Sequence, residues 1–224
     1  MNEKDKEPDY KKIYDFISKE YKKTGFFARG VCDETFFSLR VYEVCKDLNR
    51  KIDGNTKENI LYTAALLHDI GKTSLDNDKL KDPKSDTFKD EWRLHAEKGV
   101  PIAERFLKDE GHSDEFIEEV THLIRYHDTR KDDMDKSMEL KVLQDADLLA
   151  DSGKVGVARS FMYTGQYGLS FLSNIRFINE AVSRIEDDDV LNLDVSKEIG
   201  KRLKEEEKGL AKEFLEYLES DLLD

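Results

Sequence analysis

The stretch LYTAALLHDIGK, residues 61–72, begins as an apolar run and ends in two groups that can bind a metal ion. His68 and Asp69 directly follow four apolar residues, and Gly71 and Lys72 come next. Apolar residues four, seven and eight positions earlier place the His68 imidazole on the buried face of a helix. A buried charged group is costly unless it is paired or bound to a metal. The stretch therefore predicts a buried helix that ends at a polar centre, where Gly71 lets the chain turn away.

Helical periodicity recurs along the chain, and the alternation typical of strands does not persist. Only 3 prolines and 12 glycines interrupt the 224 residues, which favours long helices. We predict an all-α fold, with a polar loop over 73–90. The predicted helices span residues 8–23, 34–50, 56–69, 91–110 (with a kink or break at 99–101), 114–127, 138–164 (two helices, broken near Gly153), 170–186 and 194–221.

Composition narrows the function. The net charge of −13 disfavours general nucleic-acid binding and anionic membrane surfaces, because contacts to anionic phosphates need basic residues. No apolar stretch approaches the about 18 residues of a membrane span, and the charged N-terminus lacks the apolar segment of a signal peptide. Two cysteines do not make a disulfide framework. We expect a cytoplasmic protein whose ligand is a small molecule.

Three further predicted helices each bring a polar side chain to an apolar face. His95 lies on the apolar stripe of one, His127 lies within that of the next, and Asp147 lies on a third. His122 falls on the face opposite His127, and Asp145 points away from the stripe of Asp147. Each is unremarkable alone, since a lone buried histidine usually bonds a backbone carbonyl. Three imidazoles and two carboxylates together suit Mn, Fe, Zn or Ni.

These motifs resemble those of the HD-domain metal-dependent phosphohydrolases. LLHDIGK (66–72) is similar to the motif that names the family, and VLQDADLLADSGKVGVARSF (142–161) resembles the helix that carries its distal aspartate. HAEKGVPIAERFL (95–107) and IRYHD (124–128) resemble the additional histidine positions of members with two metals. The resemblance covers essentially the whole chain and implies an HD-domain helical bundle.

The resemblance also implies a metal site. It assigns a first ion to His68, Asp69 and Asp147. Asp69 would bridge to a second ion, which His95 and His127 would also hold. The implied cofactor is one or two divalent ions per chain, among Mn, Fe, Ni, Zn and Mg.

Catalytic and substrate-binding residues follow from the same resemblance. Asp69 and Lys72 would be catalytic, and Lys72 would lie near the substrate phosphate. Lys154 and Arg159 are further candidates for binding the substrate, although each is about as well explained as part of a solvated helix face. Positive groups here would neutralise charge that develops on a phosphoryl group.

One position departs from the family, which opens with a histidine three residues before an Arg-Val pair. Here the pair is Arg40-Val41, and Phe37 stands at the histidine position. Phe37 faces inward and cannot bind a metal, so the first site loses a ligand. Glu34, one turn earlier, is a candidate substitute ligand, but we favour a carboxylate that lies at the surface or in the first turn of its helix.

Three functions remain open. The leading one is a metal-dependent phosphohydrolase that acts on a nucleotide or another small phosphorylated metabolite. The second is a degenerate member that binds a nucleotide or metal as a sensor or scaffold, and the third is a di-iron oxygenase. Fold resemblance cannot separate them, because function depends on the site.

The predicted domains are an N-terminal helix (1–28), an HD core (29–165) and C-terminal helices that pack on the core (166–224). The last helix carries a sparse apolar stripe, which suits packing on the bundle or pairing with a second copy as a homodimer.

Overall fold

A computed structural model gives the fold and describes residues 6–25, 27, 33–129, 135–168, 170 and 190–219. Within these ranges the protein is all-α and has no β-strand, as predicted. The elements in chain order are α1 (Tyr10–Thr24), α2 (Glu34–Lys51), α3 (Glu58–Leu67), a 3-10 helix (Ile70–Ser74), α4 (Asp86–Trp92), α5 (His95–Asp109), α6 (Asp114–Tyr126), α7 (Met138–Ala150), α8 (Gly153–Gln166) and α9 (Asp194–Glu219).

Helix α3 is the central element. Every residue from Ile60 to Leu67 is buried, so the helix is enclosed on all sides rather than along one stripe. It contacts α1, α2, α6 and α7. A helix that is apolar all round belongs in the middle of a bundle, because no face of it favours water. The end of α3, where His68 and Asp69 follow, therefore lies inside the protein.

Helix α3 ends at Leu67, before Gly71, as predicted, and Gly71 lies in the 3-10 helix that follows. This 3-10 helix packs on the start of α5. A Cβ atom on Gly71 would overlap the carbonyl oxygen of His95 and the backbone nitrogen of Gly99. Gly71 is thus required for close approach between two backbones. Helix α5 also continues through Pro101 without a break, because its packing outweighs the lost hydrogen bond.

The predicted loop over 73–90 was wrong at its end, where α4 begins. Ser85 caps α4 by accepting a hydrogen bond from the backbone N–H of Phe88. Helix α4 has only 7 residues. A helix this short is marginal on its own, so periodicity gives it little signal.

Glu91 anchors the segment between the 3-10 helix and α5. Its buried carboxylate accepts hydrogen bonds from the Asp76 backbone N–H at 3.0 Å, from Lys79 Nζ at 3.0 Å and from Lys98 Nζ at 2.6 Å. These partners come from three points of the chain. One carboxylate therefore holds a polar segment against the helices that form the centre.

The C-terminal helix α9 packs against α2, α7 and α8. The carboxylate of Asp145 fixes the residues before it, because it accepts hydrogen bonds from the backbone N–H groups of Asn192 and Leu193 at 2.8 and 2.9 Å. Asp145 was predicted to point away from the stripe that carries Asp147, and it is nevertheless fully buried, because residues 192 and 193 cover it. The predicted helix 170–186 lies outside the described residues apart from residue 170.

None of the described helices is both long enough and apolar enough to cross a membrane. The domain boundaries and the homodimer stay predictions.

Gly71→Ala should unfold at a lower temperature than the wild type. The added methyl group would meet backbone atoms of α5, so the cost should exceed the about 1–3 kcal/mol typical of overpacking. Thermal unfolding followed by circular dichroism measures the change. Gly165→Ala in α8 is the control, because its Cβ would meet nothing within 4 Å. A Gly71→Ala protein as stable as the wild type would show that this contact is not needed.

Glu91→Gln should destabilise the protein in a pH-dependent way. Lys98, the Asp76 N–H and Lys79 lower the pKa of Glu91 from 4.5 to about 2. Its carboxylate therefore stabilises the fold above pH 4.5, and that contribution is lost as the pH falls toward 2. The melting temperatures of Glu91→Gln and wild type should differ at pH 7 and converge below pH 4.5. Glu104→Gln, at an exposed ion pair, should match the wild type throughout. A constant difference at all pH values would contradict this role.

Candidate metal centre

Three histidine rings are oriented by the backbone immediately before them. Nδ1 of His68, His95 and His127 lies 2.7–2.8 Å from the carbonyl oxygen three residues earlier in each case. His68 and His127 directly follow the last residues of α3 and α6, where carbonyls lack helical partners. Because a carbonyl only accepts, each Nδ1 must donate. In its neutral form each ring therefore points a bare Nε2 lone pair into the centre, as a metal ligand requires.

Two of the three Nε2 nitrogens lie close to each other and to one oxygen of the Asp69 carboxylate. Nε2 of His95 and Nε2 of His127 are 3.1 Å apart, and Oδ1 of Asp69 lies 3.4 and 3.6 Å from them. Two lone pairs at this distance repel unless a cation lies between them. Metal–ligand bonds of about 2.0–2.1 Å place neighbouring ligands roughly 3.0–3.4 Å apart. The triangle of acceptors therefore already has nearly the dimensions of one face of a metal site.

The other oxygen of Asp69 has different partners. Oδ2 lies 3.1 Å from Nε2 of His68 and 2.6 Å from Nζ of Lys72. Oδ1 of Asp147 lies 3.6 Å from the same His68 nitrogen. Nε2 of His68 makes no well-aligned hydrogen bond to a described residue. Asp69 thus joins two sides of one buried centre.

The protein's own charges set strongly shifted pKa values here. Burial would raise the pKa of Asp69, but the charges of His68 and Lys72 outweigh it and hold that pKa well below its ordinary value. Burial disfavours the imidazolium of His68, yet Asp69 and Asp147 raise the pKa of His68 to about 10. Burial dominates at His95 and lowers its pKa to about 4. His95 is therefore neutral at pH 7 and free to bind a metal.

Glu34 is a buried partner of Lys72. It lies in the first turn of α2, which was one of the two predicted alternatives, but it is only 1% exposed, so the other alternative, a surface position, was wrong. Its Oε2 lies 3.1 Å from Nζ of Lys72, which is itself buried. Burial would lower the pKa of Lys72, but Asp69 and Glu34 raise it, so the ammonium stays charged.

Phe37 points into the centre, as the face analysis predicted. It is 1% exposed, and its ring centroid lies 6.0 Å from that of His68. The guanidinium carbon of Arg159 lies 4.5 Å from the Phe37 centroid, and Nζ of Lys72 lies 5.9 Å from it. A phenyl ring attracts cations to its face but offers no ligand atom.

Arg159 and Lys154, the other predicted substrate-binding residues, lie in different surroundings. Arg159 is largely buried beside Phe37, and its Nε donates to Asp151 at 2.6 Å. The side chain of Lys154 is 74% exposed and pairs with Glu206 on α9. A role of either residue in substrate binding stays a prediction.

Gln144 is a residue of the site region that the sequence did not single out. Its Nε2 donates to the carbonyl oxygens of Tyr126 and Thr129, on either side of His127, at 2.9 and 2.7 Å. The QDAD motif that contains Gln144 was a signal of this role. In this motif Gln144 fixes the segment around His127, Asp145 fixes the residues before α9, and Asp147 faces His68.

The donor set fits a divalent metal. One ligand atom from each of His68, Asp69 and His127 falls within 4.8 Å of the others, so the cluster could hold an ion. His95 adds a neutral imidazole at 3.1 Å from His127. Imidazole and carboxylate ligands suit Mn, Fe, Zn or Ni, and the identity of the ion is open.

Comparisons with known proteins show the same fold. The structure is similar to YpgQ from Bacillus subtilis in complex with ADP, with a TM-score of 0.61 and 24% identity over 95% of this chain and 97% of that one. A second crystal structure of YpgQ has a TM-score of 0.61 and 25% identity, over 96% of this chain and 99% of that one. An HD-superfamily hydrolase from Bacillus thuringiensis has a TM-score of 0.66 and 19% identity, over 95% of this chain and 97% of that one. No curated protein sequence matches the chain at a significant level.

The sequence profile of the HD domain matches residues 38–151. This match covers more than half of the 224 residues and includes His68, Asp69, His95, His127 and Asp147. The chain therefore belongs to the HD-domain family.

Proposed function

We propose that this protein is a metal-dependent phosphohydrolase that acts on a nucleotide or another small phosphorylated metabolite. The observation that carries the proposal is the 3.1 Å approach of two imidazole lone pairs beside the Asp69 carboxylate. The repulsion between such nitrogens is relieved by a proton on one ring or by a metal ion, and the carboxylate beside them favours the metal ion. Membership of the HD-domain family supports the same reading.

Asp69, His95 and His127 would hold the ion, with His68 and Asp147 beside them. A bound divalent ion lowers the pKa of a coordinated water and polarises a phosphoryl oxygen. The backbone bonds at each Nδ1 keep the histidine lone pairs aimed inward, so little rearrangement is needed when the ion binds.

Lys72 and Arg159 would supply fixed positive charge for the phosphoryl group. Lys72 is held by Asp69 and Glu34, and Arg159 is held by Asp151 over the face of Phe37. Charges fixed before the reaction stabilise a developing negative charge without reorganisation. We retain Arg159 rather than Lys154 in this role, because the Arg159 guanidinium lies against a ring of the centre.

Two facts support a nucleotide as the substrate class. A protein of similar structure, YpgQ, was crystallised with ADP. The net charge of −13 disfavours long polyanions but leaves small phosphates open, because an ion and two buried cations offset the field locally.

A binding protein without catalysis is the second candidate. The Phe37 ring favours it, because it occupies space beside His68 without offering a ligand atom. Such a protein would bind the ion and a nucleotide but would not turn it over.

His127→Ala should lose most of its bound metal. The change removes one corner of the acceptor triangle, so affinity should fall by more than the about 10–100-fold typical of losing an outer partner. His122→Ala on the same helix is the matched control and should bind like the wild type, because His122 is exposed. Metal analysis after dialysis against Mn or Ni gives the result. Equal metal content in both variants would contradict the site.

Purified protein supplied with Mn should release phosphate or pyrophosphate from at least one member of a nucleotide panel. Turnover should stop with Asp69→Asn, because the only carboxylate common to both sides of the centre is lost. Arg159→Met should raise KM, and Lys154→Met should raise it less. Bound metal and bound nucleotide without turnover would favour the second candidate.

A further inference from the structure

The two oxygens of Asp69 face partners of opposite kinds. Oδ1 lies 3.4 and 3.6 Å from the Nε2 atoms of His95 and His127, two nitrogens that can bind a metal ion. Oδ2 already contacts a cation, the ammonium of Lys72, at 2.6 Å. One side of the centre therefore lacks a positive charge, and the other side has one built in.

The Lys72 ammonium is buried and surrounded by specific partners. The residue is only 5% exposed. Its Nζ contacts Glu34 at 3.1 Å and lies 4.7 Å from the ring centroid of Trp92 and 5.9 Å from that of Phe37. Two carboxylates and two aromatic faces are a favourable setting for an ammonium group. Moving it out would leave Glu34 buried without its partner, which is costly.

This ammonium lies on the side of the centre that the family resemblance gives to the first metal ion. His68, Oδ2 of Asp69 and Asp147 are on that side. Phe37 also faces it, where the family has a further histidine ligand. The ligand set is thus weakened at the same place where a protein cation is present.

The buried charges favour a single divalent ion. Asp69, Asp147 and Glu34 are the buried carboxylates of the centre, and Lys72 neutralises one of these three charges. One divalent ion is enough to offset the other two. A second ion would leave uncompensated positive charge in a buried site, and a proton on His68 would only add to the excess. Arg159 does not alter the balance, because Asp151 pairs with it.

We propose that this protein binds one divalent ion per chain, at Asp69, His95 and His127, and that the Lys72 ammonium occupies the position of a second cation. The inference rests on the proposed metal-dependent function, because it concerns the same centre. It goes further by fixing the number of ions and by giving Glu34 the role of holding Lys72.

The test is the number of ions bound per chain, measured by titration calorimetry and by metal analysis with Mn and with Ni. Wild type should bind one. Lys72→Met should bind two, because the freed carboxylates of Asp69 and Glu34 would then take a second, weaker ion beside His68. The double variant Glu34→Gln, Lys72→Met should return to one, and it loses both charges of the buried pair together. Lys46→Met, at an exposed ion pair on α2, is the control and should bind one.

The outcomes separate this inference from the proposed function. Two ions in wild type would overturn the inference and leave the phosphohydrolase proposal standing. No bound metal in wild type would overturn both. One ion in wild type and still one in folded Lys72→Met would overturn the role given to Lys72.

If Lys72→Met does not fold, wild-type crystals soaked in Mn give the number and position of the bound ions. One anomalous peak beside His95 and His127, with Nζ of Lys72 still within hydrogen-bond distance of Asp69, supports the inference. Two peaks, or a Lys72 side chain displaced from Asp69, would overturn it.

Discussion

The Asp69 carboxylate is the constraint around which this bundle is built. At 3% exposure it can keep its charge only if positive or metal-binding groups surround it. Those groups come from four elements, because His68 follows α3, Lys72 lies in the 3-10 helix, and His95 and His127 lie at the start of α5 and the end of α6. The ends of these elements must therefore converge on one point. The groups that would perform chemistry are the same groups that compensate the buried charge.

Backbone contacts make this convergence accurate. Each histidine is fixed by the carbonyl three residues before it, so the end of a helix also aims a ring. The contact of Gly71 with α5 brings the 3-10 helix close enough for Lys72 and His95 to face the same carboxylate. Gln144 then fixes the chain on both sides of His127. These bonds to backbone atoms fix the rotamers of the histidine side chains. The geometry of the centre can therefore exist before an ion binds.

Sequence reasoning found the fold and the inward-facing residues but not their pairing. Helical phase separates His127 from His122 correctly, because a strongly amphipathic helix has one buried face. Helical phase did not predict that Asp145 and Glu34 are buried. Helix α7 is buried on nearly all sides, so no direction around it is solvent. An acid in a first helical turn is usually exposed, and only the tertiary position of Lys72 explains why Glu34 is not. Phase describes one helix, whereas burial depends on what packs against it.

The resemblance predicts a histidine ligand at position 37, and the structure has a buried phenyl ring there beside His68. An imidazole at this position would offer a lone pair, whereas the phenyl ring offers only its weakly negative face. That face attracts organic cations more readily than it compensates a divalent ion, and Arg159 and Lys72 lie 4.5 and 5.9 Å from its centroid. A phenyl ring at this position therefore favours positive charge from protein side chains over positive charge from a metal ion. Glu34 and Asp151 complete this arrangement, because each holds one of the two cations in place.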